Sequence, residues 1–166
     1  VCAYHLFHDR NVIQRGASAL LNARLLPVID GFLKAVRSSM QLRNLNYPVV
    51  IMRSDGSLMN ETYALNHPVE TLLCGPAASV MGGAYLGHYP KSVIIDMGGT
   101  TSDIALVKDH LPVRADNGIQ IGSWRTFVKG LYVDTFGLGG DSEICYQENN
   151  LFLSDRRVMP LCILAA

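Results

Sequence analysis

Two apolar runs, Ser92-Val93-Ile94-Ile95 and Ile104-Ala105-Leu106-Val107, bracket the octapeptide Asp96-Met97-Gly98-Gly99-Thr100-Thr101-Ser102-Asp103. β-Branched residues on both sides of a Gly-Gly pair predict strand, tight turn, strand. A Gly-Gly turn lets the backbone approach a ligand closely, with its N–H groups pointing outward. Thr100 and Thr101 add hydroxyl donors, and Asp96 and Asp103 place a carboxylate at each end. Amides and hydroxyls suit phosphate oxygens, and paired carboxylates suit a hydrated divalent cation that bridges to them. The octapeptide has the composition of half a nucleotide site. A plain hairpin, with its aspartates as caps or solvated charges, accounts for the same letters. The rest of the chain has to decide between the two.

The 166 residues suffice for one domain with a sizeable core, and 49% hydrophobic against 17% charged residues argue for a buried interior over disorder. With 14 basic and 14 acidic residues the formal net charge is zero. That balance offers no track for nucleic acid and no patch for a membrane surface. No apolar stretch approaches the roughly 20 residues of a membrane span, and no basic-then-apolar leader opens the sequence. A cytoplasmic location is expected. Cys2, Cys74, Cys145 and Cys162 are scattered without a CxxC pair, which predicts buried single thiols in a reducing compartment. A start at Val1 and an apolar end, Leu161 to Ala166, are expected of a piece of a longer protein with a tendency to self-associate.

Val1 to Arg15 carries no clear pattern. From Ala17 to Leu45, Leu20, Leu21, Leu25, Val28, Ile29, Phe32, Leu33 and Val36 recur at helical spacing. Pro27 lies inside this stretch and predicts a short helix before it and a longer one after. Tyr47 to Met52 reads as a buried strand closed by the turn Ser54-Asp55-Gly56-Ser57, followed by a polar stretch from Asn60 to Asn66. Gly75 to Leu86 reads as a helix with Pro76 in its first turn and small residues on one face, suited to lying close to a sheet. Were its N-terminus to face Gly98 and Gly99, its amides would add to an anion site. Asp109 to Pro112 predicts a turn, Gly118 to Val128 one or two half-buried strands, and Tyr132 to Phe136 another strand. That strand opens into Gly137-Leu138-Gly139-Gly140-Asp141-Ser142-Glu143, read as a glycine turn running into a helix start. Asn149-Asn150 predicts a turn before Leu151 to Leu153, and Ser154 to Arg157 a charged loop.

Five motifs stand in one order: Arg15-Gly16-Ala17-Ser18, Asn22-Ala23-Arg24-Leu25-Leu26-Pro27, Met52-Arg53-Ser54-Asp55-Gly56, Gly75-Pro76-Ala77-Ala78 and the octapeptide. This order resembles the hydantoinase/oxoprolinase family, which includes N-methylhydantoinase A, 5-oxoprolinase and acetone carboxylase-like subunits, from about Asn11 to Pro160. The resemblance implies an α/β fold of the ribonuclease-H-like, actin-like ATPase type, with a mixed β-sheet flanked by helices. It implies ATP and Mg²⁺ as ligands. Carried over residue by residue, Gly98, Gly99, Thr100 and Thr101 would contact phosphates. Asp96 and Asp103 would hold the metal through water, with Asp96 also catalytic in orienting the attacking group. Gly139 and Gly140 would line the cleft as the later turn of the same lobe.

The implied reaction is ATP-dependent opening of a cyclic amide of the hydantoin or 5-oxoproline type, by phosphoryl activation of the amide oxygen. The alternatives are a nucleotide-sensing, regulatory or structural subunit on the same lobe, or a subunit of an ATP-dependent ketone carboxylase. The implied partners are a small cyclic amide, a first ATPase lobe and a B-type subunit. The family's earlier phosphate hairpin has no counterpart before Asp96, its Thr-Ser-Thr-Asp stands here as Thr100-Thr101-Ser102-Asp103, and its Gly-Gly-Gly-Ser stands as Gly139-Gly140-Asp141-Ser142. With one hairpin, the chain alone is expected to bind nucleotide weakly and not to turn over. The expected organisation is one unit, with 1–90 supplying a helical segment, a strand and the cleft-lining helix, and 91–166 the lobe core, where the hairpin occupies the centre of the sheet between the Pro76 and Pro27 helices.

Other residues carry less. His5 and His8 have the i, i+3 spacing of metal ligands but lack a third. His67, His88 and His110 fall in loops or helix ends. Cys74 precedes Gly75-Pro76 without an identifiable base, and is expected as a small buried residue. Arg53, with Ser54 and Asp55, follows a strand; a plain turn with a salt bridge is expected, with lining of the cleft as the alternative.

Overall fold

The computed structural model describes residues 1–115 and 117–164, and the side chains of all of these except 161 and 162. The expectations for the Cys162 thiol and for Ala165 and Ala166 lie outside the described residues.

The chain opens with α1 (Ala3–Leu6) and then runs into α2 (Val12–Leu42), a single helix of 31 residues. Asn11 starts α2 by accepting the Gln14 amide on its side-chain oxygen at 3.1 Å. The break expected at Pro27 does not occur. Proline removes one intrahelical bond, and anchors on either side keep the helix continuous. On the N-terminal side, buried Ser18 accepts the Phe127 amide at 2.9 Å, and buried Asn22 donates to the Asn66 carbonyl and accepts the Val69 amide. On the C-terminal side, Ile29 and Leu33 pack with Met59 and Ala64.

A short hairpin follows, β1 (Val50–Met52) with β2 (Leu58–Asn60), and its turn is the expected Ser54 to Ser57 segment. The stretch read only as polar forms α3 (Glu61–Asn66), capped by Asn60 accepting the Tyr63 amide at 2.8 Å. A 3₁₀ turn, Pro68–Thr71, carries Glu70 back to the hairpin. There the Arg53 guanidinium pairs with the Glu70 carboxylate, while the Tyr63 hydroxyl donates to its other oxygen at 3.1 Å. Burial of Tyr63 beside that carboxylate raises its pKa. Arg53 is thus a structural ion pair, as its turn position predicts.

α4 (Cys74–Gly87) covers one face of the principal sheet. That sheet is built from β3 (Lys91–Met97), β4 (Ser102–Lys108) and β5 (Leu111–Pro112), joined after four short intervening strands by β10 (Val133–Phe136). The first three of these are β6 (Arg114–Ala115), β7 (Gln120–Ile121) and β8 (Trp124–Arg125). β9 (Gly130–Leu131) pairs back with β6, and β7 pairs with β8. Next, β10 (Val133–Phe136) returns to β4. Alternation along the sheet sends Ile94, Ala105 and Val133 to one face, where they meet Ala77, Val80, Met81 and Leu131. A Cβ on Gly83 would stand 3.0 Å from Ile94 Cδ1, so at that position the small face of α4 does permit close packing.

Three expectations about this sheet are corrected. It is not mixed: the order is β10-β4-β3, with β5 on β4, and every pairing is antiparallel. Parallel pairing needs a long crossover, and the connection from β3 to β4 to β5 is by tight turns. β4 lies inside the sheet and β3 takes its edge, so the hairpin is not centred as a whole. The Pro27 helix does not flank it either. α2 packs against α1, α3, the 3₁₀ turn and β8, and a separate core of Val69, Ile119 and Val128 forms beside Leu21 and Phe7. The second face of the sheet leaves Val93, Ile95, Met97, Leu106 and Phe136 exposed.

The final segment differs most from expectation. Gly137 to Asp141 runs into a strand, not a helix. β11 (Ser142–Gln147) pairs with β12 (Asn150–Arg157) as a two-stranded ribbon, so Ser154 to Arg157 is strand and not loop. Glu148 and Asn149, both at positive φ, make its two-residue turn, one position earlier than predicted. α5 (Leu161–Leu164) follows.

Candidate functional site

The β3–β4 hairpin forms as its sequence dictates, with Asp96 opposite Asp103 and Met97 opposite Ser102. Directly opposed residues share a face and place their Cβ atoms about 4.5–5.5 Å apart. Asp96 and Asp103 are therefore neighbouring carboxylates on the α4 side of the sheet, at the end next to the turn. β10 adds a third member to the row: Thr135 lies opposite Asp103 and its Oγ1 donates to Asp103 Oδ1 at 2.5 Å. Two like charges side by side repel unless a cation or hydrogen bonds offset them, and the Thr135 hydroxyl meets one of the four carboxylate oxygens.

Within the turn, the Gly98 amide donates to the Thr101 carbonyl at 2.9 Å. The amides of Gly99, Thr100 and Thr101 meet no acceptor among the described residues, nor do the hydroxyls of Thr100 and Thr101. Gly98, Gly99 and Thr100 are exposed. The turn offers outward-facing donors beside a carboxylate pair, which is the donor set that a cation-bound polyphosphate requires.

Gly139 and Gly140 sit against this turn, as its seat. The Gly140 amide donates to the Gly98 carbonyl at 3.0 Å and the Asp141 amide to the Gly99 carbonyl at 2.8 Å. Ser102 Oγ donates to the Leu138 carbonyl at 2.6 Å, and the Gly139 amide donates to Ser142 Oγ at 2.9 Å. Both glycine amides are thereby committed within the protein. A Cβ on Gly139 would fall 2.4 Å from the Gly99 carbonyl oxygen and 2.6 Å from the Thr100 carbonyl carbon. Only glycine allows that approach.

The Asp141 carboxylate, where the family's motif has glycine, is not left facing the turn alone. Arg157 Nη1 donates to Asp141 Oδ1 at 2.9 Å, to the Thr100 carbonyl at 3.1 Å and to Ser142 Oγ at 3.0 Å. Sequence reading missed Arg157, since its partners lie up to 57 residues away. The one available signal was an unexplained Asp141 with two basic residues, Arg156 and Arg157, in the segment read as a charged loop.

The remaining candidates stay apart from this site. The α4 amino terminus makes no hydrogen bond to Gly98–Thr101, and Leu73 precedes it at φ 59°. Cys74 is half-buried in the first turn of α4, and Cys2 is exposed, not buried as predicted. His8 falls beyond the end of α1, so His5 and His8 do not share a helix. His67 and His88 end helices, and His110 lies in the β4–β5 turn. Among the described residues no group of three or more His, Cys, Asp and Glu side chains could hold a metal, so Asp96 and Asp103 stand as a pair. No described helix is long and apolar enough to cross a membrane.

The hydantoinase/oxoprolinase family model matches residues 15–156. The chain belongs to that family. Among its relatives, caprolactamase subunit alpha of Pseudomonas jessenii is 25% identical over 146 residues, 86% of this chain and 21% of that protein. 5-Oxoprolinase 1 of Arabidopsis thaliana is 29% identical over 139 residues, 81% of this chain and 11% of that protein. An acetone carboxylase, solved nucleotide-free in a study of ATP-dependent acetone carboxylation, superposes with a TM-score of 0.73 at 17% identity, covering 93% of this chain and 22% of that one. The chain thus shares the α/β fold of part of a much larger protein, and spans about a fifth or less of the relatives' length.

Proposed function

We propose that this hydantoinase/oxoprolinase family chain is the phosphate-hairpin portion of an ATP-dependent enzyme that opens a cyclic amide of the hydantoin or 5-oxoproline type, on a lobe of the actin-like, ribonuclease-H-like kind. One observation carries the reading. The amides of Gly99, Thr100 and Thr101 and the hydroxyls of the two threonines, which meet no acceptor among the described residues, stand beside the opposed Asp96 and Asp103 carboxylates. Amides and hydroxyls would take phosphate oxygens. The carboxylates would hold the water shell of Mg²⁺, with Asp103 oriented by Thr135 and Asp96 left to orient the attacking group. Phosphorylation by ATP would activate the amide oxygen, so that water adds to the carbon. The ring C–N bond then breaks as nitrogen takes a proton, and the acyl phosphate left behind is hydrolysed to carboxylate and phosphate.

In this reading Gly139 and Gly140 contribute by fixing the turn, because their amides are spent on Ser142 and Gly98. The relatives named for caprolactam and 5-oxoproline support a lactam-like substrate. A first lobe, and a further subunit of the kind implied by the name caprolactamase subunit alpha, complete the proposed assembly.

Calorimetric titration of Mg-ATP, and of ATP with a chelator, tests the hairpin in wild type and Asp96→Asn. Metal-dependent binding lost in the variant is expected. Binding that ignores both the chelator and the substitution would remove the carboxylate pair from the site.

A further inference from the structure

Arg157 belongs to a strand of the ribbon, yet its guanidinium contacts lie largely outside it. Its register partner is Ser142, at the base of β11–β12, and the Val158 amide donates to the Asp141 carbonyl at 2.8 Å. The ribbon base is therefore sewn to the glycine loop that seats the phosphate hairpin. From there a single nitrogen, Nη1, meets the Thr100 carbonyl, the Asp141 carboxylate and the Ser142 hydroxyl. Ser142 in turn accepts the Gly139 amide. The hairpin turn, the glycine loop and the ribbon converge on one cation.

We propose that Arg157 is a positioning residue for the phosphate hairpin, with two linked effects. It tethers the outer side of the turn through the Thr100 carbonyl, so that the Gly99 to Thr101 amides keep one orientation. It also offsets the Asp141 charge, which would otherwise repel a polyphosphate held on that turn. The second effect rests on the function proposed above, and the first does not. The Asp141 side chain is 22% exposed and that of Arg157 47%, so the pair lies at the surface of the site, where a ligand's charge would reach both. Its Coulombic interaction there is moderate, unlike that of a buried pair. A lone carboxylate within several ångströms of phosphate would still weaken binding by about tenfold.

Amide hydrogen exchange of the ligand-free chain tests the tether. Gly140 and Asp141 report directly, because their amides bond the Gly98 and Gly99 carbonyls. Arg157→Gln should speed their exchange about tenfold, as expected for loss of a charge-assisted bond, and Arg157→Lys should restore part of the protection. Unchanged exchange in Arg157→Gln overturns the tether.

Mg-ATP titration tests the charge. Arg157→Gln should weaken binding about tenfold, and adding Asp141→Asn should recover most of the loss. A merely structural role gives no such recovery, so equal loss in the single and double variants overturns the charge-offsetting effect. Wild-type protein that binds no Mg-ATP overturns the nucleotide reading and the charge effect together, and leaves the exchange result to decide the tether.

Discussion

Thr135 and Asp103 face each other on adjacent antiparallel strands, and the threonine hydroxyl holds one carboxylate oxygen at 2.5 Å. The contact engages Asp103 Oδ1 and restrains the carboxylate's rotation. Hydrogen bonds to charged groups contribute about 1.5–3 kcal/mol, with exposed ones at the lower end. Thr135→Val keeps the β-branched shape and removes the donor. It should cost about 1.5 kcal/mol of stability, seen as a lower urea midpoint, and weaken Mg-ATP binding about tenfold, whereas Thr135→Ser should retain affinity. Affinity in the valine variant equal to wild type would show that Asp103 needs no orientation.

Gly139 and Gly137 make a matched pair two residues apart. A Cβ at Gly139 meets the Gly99 carbonyl oxygen at 2.4 Å, while one at Gly137 meets nothing within 4 Å. Backbone lies on both sides of the first contact, so relief requires the loop to leave the turn. Gly139→Ala should cost about 2–3 kcal/mol of stability. Gly137→Ala should stay within about 1 kcal/mol. Urea unfolding of both variants decides the matter, and equal midpoints would show that the loop does not rest on the hairpin in solution.

How far the sequence could be read follows the reach of each interaction. The β3–β4 hairpin was legible because its signals are local: alternating β-branched residues on either side of Gly98-Gly99. So was the Asp96–Asp103 pair, since a tight turn sets its own register. The turn read at Asp109 to Pro112 was legible in its first half, where Asp109 and His110 lie at positive φ, while Leu111–Pro112 form β5. Thr135 and Arg157 were not, because β10 reaches β4 only through pairing across some 30 residues, and the Arg157 contact to Thr100 spans 57. The ribbon escaped too: Ile144, Tyr146, Leu151 and Phe152 are exposed on it alongside polar neighbours, so no buried face imposes alternation on the sequence. Pro27 misled for a different reason. Its local penalty is real, but long-range anchors at Ser18, Asn22, Ile29 and Leu33 outweigh it.

That penalty can be recovered. Pro27 lies exposed inside α2, without an amide to offer the Ala23 carbonyl four residues earlier. An interior proline costs about 3 kcal/mol relative to alanine, partly offset by about 0.4–1 kcal/mol through its restriction of the unfolded chain. Pro27→Ala should raise stability by about 2–3 kcal/mol, visible as a higher urea midpoint. A lower midpoint would mean that the ring makes packing contacts that outweigh the missing bond.

Asp55 gives the fold a defined acid sensitivity. Burial works against its charge, but the Ser57 hydroxyl at 2.6 Å, the Ser57 amide at 3.0 Å and the nearby Arg53 and Arg114 charges prevail, and its pKa is lowered. A carboxylate with a depressed folded pKa contributes stability that is fully present above its unfolded value, about 3.9 for aspartate. That contribution fades as the pH falls through the folded value. Asp55→Asn retains an oxygen acceptor for Ser57 and removes only the charge. The variant should be less stable than wild type at neutral pH, and the difference should shrink as the solution is acidified below the ordinary carboxylate range. Urea midpoints of both proteins across that range provide the measurement. A difference that stays constant with pH would assign the loss to packing and not to the ionised carboxylate.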